Sequence, residues 1–276
     1  MRTLGETAVG DVVYMRVSGV YTPFRVLHKG APGSNYDSSF NGGVILCLDY
    51  GAQPFVTQAV SDPGGAKCNY ANSYMHRALH QIWLPRLDAA MQALIKEVRL
   101  PYRTDTDSSP YVVADGAQGL SAKVWLPSLK ETVRTAVYET GLANAYVAEG
   151  ALMDYWANLS VSGFTKWAYK SGGMDAGWAT RTPNVGYEND SRERYFYRVR
   201  QDGVGIPGKD NQVAARPCLV MPAAMTLDRS NHLHLSGSAQ VKVGGAWKEG
   251  AVSCKQNGAW REAGTVAARI GGVWKE

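Results

Sequence analysis

The chain ends on three copies of one nonapeptide: VKVGGAWKE from Val241, CKQNGAWRE from Cys254 and ARIGGVWKE from Ala268. Their tryptophans, Trp247, Trp260 and Trp274, stand 13 and then 14 residues apart, a period too short for a solenoid unit. Each copy sets a two-residue turn signal, Gly244-Gly245, Asn257-Gly258 or Gly271-Gly272, between short runs able to pair as strands. Glycine and asparagine tolerate the positive φ angles of such tight hairpin turns, so the signal is strong. A two-residue turn also fixes the register. Val243 then faces Ala246, Gln256 faces Ala259 and Ile270 faces Val273. One step out, Lys242 faces Trp247, Lys255 faces Trp260 and Arg269 faces Trp274. A cation opposite a tryptophan contributes roughly 0.2–1 kcal/mol per pair. That is too little to hold a hairpin by itself, and isolated two-stranded hairpins are marginal in water. The sequence therefore predicts a small all-β module over 236–276 that gains stability by association, and a body over 1–235.

The body mixes two periodicities. DVVYMRVSGVYTPFRVLHKG alternates and suits a strand pair turning at Ser18 and Gly19, and VILCLDY from Val44 to Tyr50 suits a buried strand. In NSYMHRALHQIW the apolar residues Met75, Leu79, Ile82 and Trp83 recur at helical spacing behind a cap at Asn72 or Ser73, and Pro85 ends or bends the helix. A second amphipathic helix is expected from Arg86 to Val98, with Leu87, Met91, Leu94 and Ile95 on one stripe. Ser128 and Glu131 form a capping box at the start of a third, and a fourth is expected around Gly150 to Asn158. Short strands between Gly, Pro and Asn turns fill the rest up to Asp228. Helices before strands indicate an α+β fold, not a repeating βαβ one.

Charge and cysteines narrow the function. Residues 236–276 hold six Lys/Arg against three Asp/Glu, a net of +3, which leaves +2 of the total +5 for the body. Neither part has the dense basic stripe of a nucleic-acid binder, so no nucleic acid is expected as a partner. Cys47, Cys68, Cys218 and Cys254 show no metal-ligand spacing and read as buried free thiols. No segment has the apolar length of a signal peptide or a membrane span, so no membrane insertion is expected.

Several body segments together, FRVLHKG, NSYMHRALHQIWL, KVWLPSLKE, WATRTPN and ARPCLVMP, resemble a domain of unknown function widespread in bacterial and phage genomes. That family is built on the C-type lectin fold and is related to the formylglycine-generating enzymes and to retroelement-diversified ligand-binding proteins. The resemblance, over residues 10 to 228, implies a compact scaffold whose irregular loops present a binding surface. It also implies framework roles for Trp178, Arg181, Arg216 and Pro217. The calcium triplets EPN, QPD and WND are missing, as is a counterpart of the catalytic cysteine pair, so neither calcium-dependent sugar binding nor that enzymatic activity carries over.

The residues themselves give no catalytic, metal or cofactor site. His76 and His80 stand four apart on a helix without the intervening glutamate of HExxH, and His232 and His234 share a strand face without an evident acid. There is no GxSxG elbow and no GxxxxGK loop. Asp154, Asp175 and Asp190 are candidates for carboxylate chemistry only in the sense that folding brings any two groups together.

A binding surface is better supported. The stretch from Phe164 to Gly203 sets Trp167, Tyr169, Tyr187, Tyr195 and Tyr197 among Asn, Ser, Asp and Arg, the composition of an antibody paratope. Tyr187, Asn189 and Arg192 are expected to face solvent. Strand alternation puts Tyr195, Tyr197 and Val199 on one face and Phe196 on the other.

The terminal Gly-Gly-x-Trp-Lys repeats resemble the ends of phage tail and other virion structural proteins. That resemblance implies assembly in the host cytoplasm, localisation to the virion, contact with other virion proteins and oligomerisation. The expectation is a tail-fibre or tail-tip protein that binds a host cell-surface receptor, glycan or protein. In that reading the segment over 160–200 is a possible retroelement-diversified region. The alternatives are a capsid decoration or baseplate subunit, a cell-wall glycan-degrading enzyme, and a bacterial adhesin. Deleting residues 236–276 is expected to leave a folded body with a changed oligomeric state, read as a change in sedimentation coefficient relative to mass.

Overall fold

The computed structural model describes residues 2–49, 55–57, 70–104, 112–132, 149–159, 178–183, 196–200, 203–205 and 213–234, and the backbone of six strands in the C-terminal module. The N-terminal half supplies β1 (Arg2–Thr3), β2 (Val12–Val17), β3 (Val20–Lys29), β4 (Gly43–Leu48) and β5 (Phe55–Thr57). Next come the pairing fragments β6 (Val98–Leu100), β7 (Tyr102–Arg103), β8 (Val113–Ala114), β9 (Leu120–Ala122) and β10 (Val124–Trp125). The second half supplies β11 (Trp178–Pro183), β12 (Phe196–Arg200), β13 (Gly203–Gly205), β14 (Val213–Ala215) and β15 (Cys218–Pro222). A small sheet is completed by β16 (Thr226–Leu227) and β17 (Leu233–His234). Short helices α1 (Tyr74–Ala78), α2 (Ala89–Leu94), α3 (Leu129–Thr132) and α4 (Asp154–Asn158) lie between them, so the fold is α+β.

Among the described residues two five-stranded sheets dominate. The first runs β10-β15-β4-β3-β2 and the second β13-β12-β11-β14-β5. All six residues of β4 are buried, the continuous apolar run of a strand covered on both faces. Its neighbour β15 is buried over Cys218 to Met221. Turn chemistry sets the β2–β3 register: Ser18 and Gly19 carry φ of 51° and 80°, both positive as the tight hairpin turn requires, and Val17 pairs with Val20. The outer edge of β2 is guarded by bridges from Tyr14 to His232 and from Val17 to Leu87, which blunts an otherwise open strand.

The same pair of chain segments builds both sheets. β4 pairs with β15 in the first, and their continuations β5 and β14 pair in the second. The buried Arg216 sits at this crossing between β14 and β15, and its Nη1 donates to the carbonyls of Asp49 at 2.5 Å and Leu48 at 3.4 Å. The Asp49 carboxylate in turn accepts from Arg25 Nε at 3.1 Å and Nη2 at 2.8 Å.

The helix expectations hold in part. Ser73 caps α1, its Oγ accepting from His76 N at 3.1 Å. Met75, Leu79 and Trp83 are buried, but Ile82 is 45% exposed. The reason is a π-helical turn over Leu79–Trp83, whose wider winding rotates Ile82 off the stripe. The second helix covers only Ala89–Leu94, shorter than Arg86 to Val98, because a 3-10 turn occupies Leu84–Arg86 and Ile95 is already extended.

In the C-terminal module β18 (Ser238–Val243) pairs with β19 (Ala246–Ala251), β20 (Ser253–Gln256) with β21 (Ala259–Glu262), and β22 (Ala268–Ile270) with β23 (Val273–Lys275). The register places Lys242 opposite Trp247, Lys255 opposite Trp260 and Arg269 opposite Trp274, as the turns predict. Each pair is its own two-stranded sheet.

Gly43 marks how closely β4 and β15 approach: a Cβ there would overlap Val220 Cγ1 and lie 3.1 Å from Phe40 O. Gly43→Ala is expected to cost about 1–3 kcal/mol, read from a denaturant midpoint, with part recovered by adding Val220→Ala.

Candidate functional site

The first turn of α3 carries the capping box read from the sequence. Ser128 Oγ accepts from Glu131 N at 3.1 Å and Glu131 Oε2 accepts from Ser128 N at 2.9 Å. The Glu131 carboxylate is fully buried. Arg181, on β11 and also fully buried, meets it with both terminal nitrogens, Nη1 to Oε2 at 2.6 Å and Nη2 to Oε1 at 2.7 Å. The two terminal nitrogens of Arg181 also donate to backbone: Nη1 to Leu126 O at 3.0 Å, and Nη2 to Pro101 O at 3.1 Å and Glu149 O at 2.6 Å. The Tyr36 hydroxyl completes the cage, donating to Glu131 Oε1 at 2.5 Å and accepting from Ala151 N at 3.3 Å. A second buried carboxylate, Glu149, accepts from Arg103 N at 2.9 Å.

Burial acts on the titration of Tyr36, Glu149 and Arg181. It drives the Tyr36 hydroxyl well above its usual range, with the Glu131 charge adding to the effect. Burial also raises Glu149, against the pull of Arg181. It opposes the charge on Arg181 as well, but the Glu131 carboxylate more than offsets this and the net shift is upward. A buried set of this kind presents no exposed face to a substrate; it is an anchor.

What it anchors is the ends of chain segments. Residues 105–111 leave after Thr104, whose N–H donates to Val112 O at 3.0 Å. Residues 133–148 leave after Thr132 and return at Glu149, held by Arg181 and Arg103. Residues 184–195 leave after Pro183 and return at Phe196, and these two stand opposite each other in the β11–β12 ladder. Thr182 Oγ1 accepts from Leu129 N at 2.9 Å, which ties that stem to α3. Three segments outside the described residues thus start and finish on one buried base.

Tyr187, Asn189, Arg192 and Tyr195 belong to 184–195, and Trp167 and Tyr169 to 160–177; both segments lie outside the described residues. Their points of attachment differ. The segment 160–177 reaches β11 at Trp178 and 184–195 leaves it at Pro183, about 16 Å further along an extended strand. Tyr197 lies on β12, where Phe196 and Val199, one from each face, are both buried. The strand is therefore covered on both sides at these positions, and alternation alone does not separate inside from outside. Trp178, Arg181 and Arg216 are buried framework residues, as expected.

The histidines acquire partners that the sequence did not declare. His232 Nδ1 lies 3.0 Å and His234 Nε2 3.2 Å from Asp228 Oδ2, and His232 stacks on Tyr21 with ring centroids 3.9 Å apart. His76 is pushed down to about 4 by burial and by neighbouring His80. Asp154 pairs with His28 Nδ1 at 2.9 Å, while Asp175 and Asp190 lie outside the described residues. Among the described residues no group of three or more His, Cys, Asp or Glu is placed to hold a metal ion. No helix among them is long and apolar enough to cross a membrane.

Arg181→Met is expected to cost about 3–5 kcal/mol by leaving the Glu131 carboxylate buried and unpaired, and Arg181→Met with Glu131→Met to recover only part of it, because the carbonyls of Pro101, Leu126 and Glu149 still lose their donor, both read by urea denaturation. Glu149 gives a pH signature. Its native pKa stands above the ordinary 4.5, so the folded state keeps a proton that the unfolded chain releases. That contribution is complete below 4.5 and is lost as pH rises through the native value. Stability should therefore fall with rising pH across this window, and Glu149→Gln should flatten the slope.

Comparison with known proteins bears on the part of the chain that contains this cage. No curated protein and no solved structure matches the chain. Residues 41–223 match the model of a family described as a domain of unknown function, DUF6273. The match runs from the start of β4 to just past β15 and includes Arg103, Ser128, Glu131, Glu149 and Arg181, with Tyr36 just outside it. By that match the chain belongs to the DUF6273 family.

Proposed function

We propose that this protein is a phage virion component of tail-fibre or tail-tip type. A body of C-type-lectin-like architecture binds a glycan or protein on the host surface, and the C-terminal hairpins join copies to each other or to the particle. The observation that carries the reading is the convergence of three segment ends on the Arg181–Glu131 cage. One of those segments holds Tyr187, Asn189, Arg192 and Tyr195, residues that supply contact area and adaptable hydrogen bonds at low entropic cost. A base that is already rigid lowers the ordering cost of binding. Three hairpins with the same cation–tryptophan register support a shared docking role for Trp247, Trp260 and Trp274 with Lys242, Lys255 and Arg269. Several copies on one particle convert weak single contacts into avidity.

The test is binding of labelled full-length protein to host cells, alongside Tyr187→Ala/Asn189→Ala/Arg192→Ala. The variant is expected to keep its unfolding midpoint and to lose at least about tenfold in affinity, the effect of removing a central anchor cluster. Unchanged binding by the variant would refute the assignment of the surface. Location on the capsid by electron microscopy would favour a decoration subunit, and sugar released from purified host walls would favour an enzyme.

A further inference from the structure

Cys47 and Cys218 are distant in sequence and face each other across the β4–β15 ladder. Both are fully buried free thiols. The hydrogen bonds around them define the kind of pair they form. Leu48 N donates to Pro217 O at 3.0 Å and Ala223 N donates to Gly42 O at 2.9 Å, so the bonded positions of this ladder are those in phase with Leu48 and Gly42. Val220, one of the intervening positions, turns its carbonyl away from β4 to accept from Lys96 N at 2.9 Å. Cys47 and Cys218 are in phase with Val220 and its partner Ile45. They therefore occupy a non-hydrogen-bonded site, where opposed Cα atoms approach to about 4.5 Å and side chains are closest. That separation lies inside the range a disulfide spans, about 4.4–6.8 Å. Cys47 Sγ lies 3.5 Å from Arg216 O, two residues before Cys218.

We propose that Cys47 and Cys218 form a cross-strand disulfide when the chain folds in the presence of a small disulfide oxidant. In the exchange one protein thiolate attacks a sulfur of the oxidant and expels one small thiol. The second protein thiolate then attacks the protein sulfur of the mixed disulfide and expels the other. Two protein thiols and one small disulfide become one protein disulfide and two small thiols, the protein giving up two electrons and the oxidant taking them. The bond ties β4 to β15 next to the point where both strands pass into the second sheet. Because both sulfurs are buried, the folded, reduced protein is slow to react. The bond therefore records the conditions under which the chain folded.

The experiment refolds the full-length chain from denaturant in a buffer of oxidised and reduced glutathione, then alkylates free thiols in denaturant and maps peptides by mass spectrometry. The expected result is a linked peptide pair containing Cys47 and Cys218, with a Tm about 5–10 °C above that of the chain refolded in reductant. Cys47→Ala, which keeps Cys218, should abolish both the link and the shift. Both thiols alkylated after oxidative refolding, or links made only through Cys68 or Cys254, would overturn the proposal.

Discussion

The bidentate pair between Arg181 and Glu131 is the interaction on which the rest of this body depends. A guanidinium and a carboxylate removed from water gain little net stability from each other, because the cost of stripping their hydration is large. Their value is geometric. Arg181 reaches the carbonyls of Pro101, Leu126 and Glu149 as well as the carboxylate, so one side chain fixes the relative positions of backbone from separate stretches of the chain. A hydrophobic replacement could fill the same volume but would leave those carbonyls unsatisfied.

A second buried arginine has a related task elsewhere. Arg216 binds the carbonyls of Leu48 and Asp49 where two chain segments pass together from one sheet to the other. The Asp49 carboxylate is held by Arg25 from β3, so the crossing is braced from both sides. The two arginines anchor the same second sheet, one through β11 and the other through the end of β14. That sheet carries the attachments of 160–177 and 184–195, the segments whose composition points to a binding surface.

How far this was legible in the sequence follows from the range of each interaction. The hairpin registers were readable because a two-residue turn leaves no freedom in pairing. The Ser128–Glu131 capping box was readable because it is a contact across three residues, and the framework roles of Trp178, Arg181 and Arg216 followed from family resemblance. Tyr36 and Glu149 gave no signal, since Tyr36 meets Glu131 across 95 residues and nothing local marks either as a partner. The juxtaposition of Cys47 with Cys218 was invisible for the same reason. Asp228 was within reach of a local reading, four residues before His232, but its approach to both imidazoles depends on the turn between β16 and β17. The π-helical turn at Leu79–Trp83 has no counterpart in a pattern of period 3.6, so the phase error at Ile82 could not be foreseen.

Segments 105–111, 133–148 and 184–195 all begin and end on residues held by the interior. A segment whose two ends are tied to one frame gains or loses residues at an entropic cost that grows only slowly with length, so the frame sets where each segment starts and stops whatever lies between.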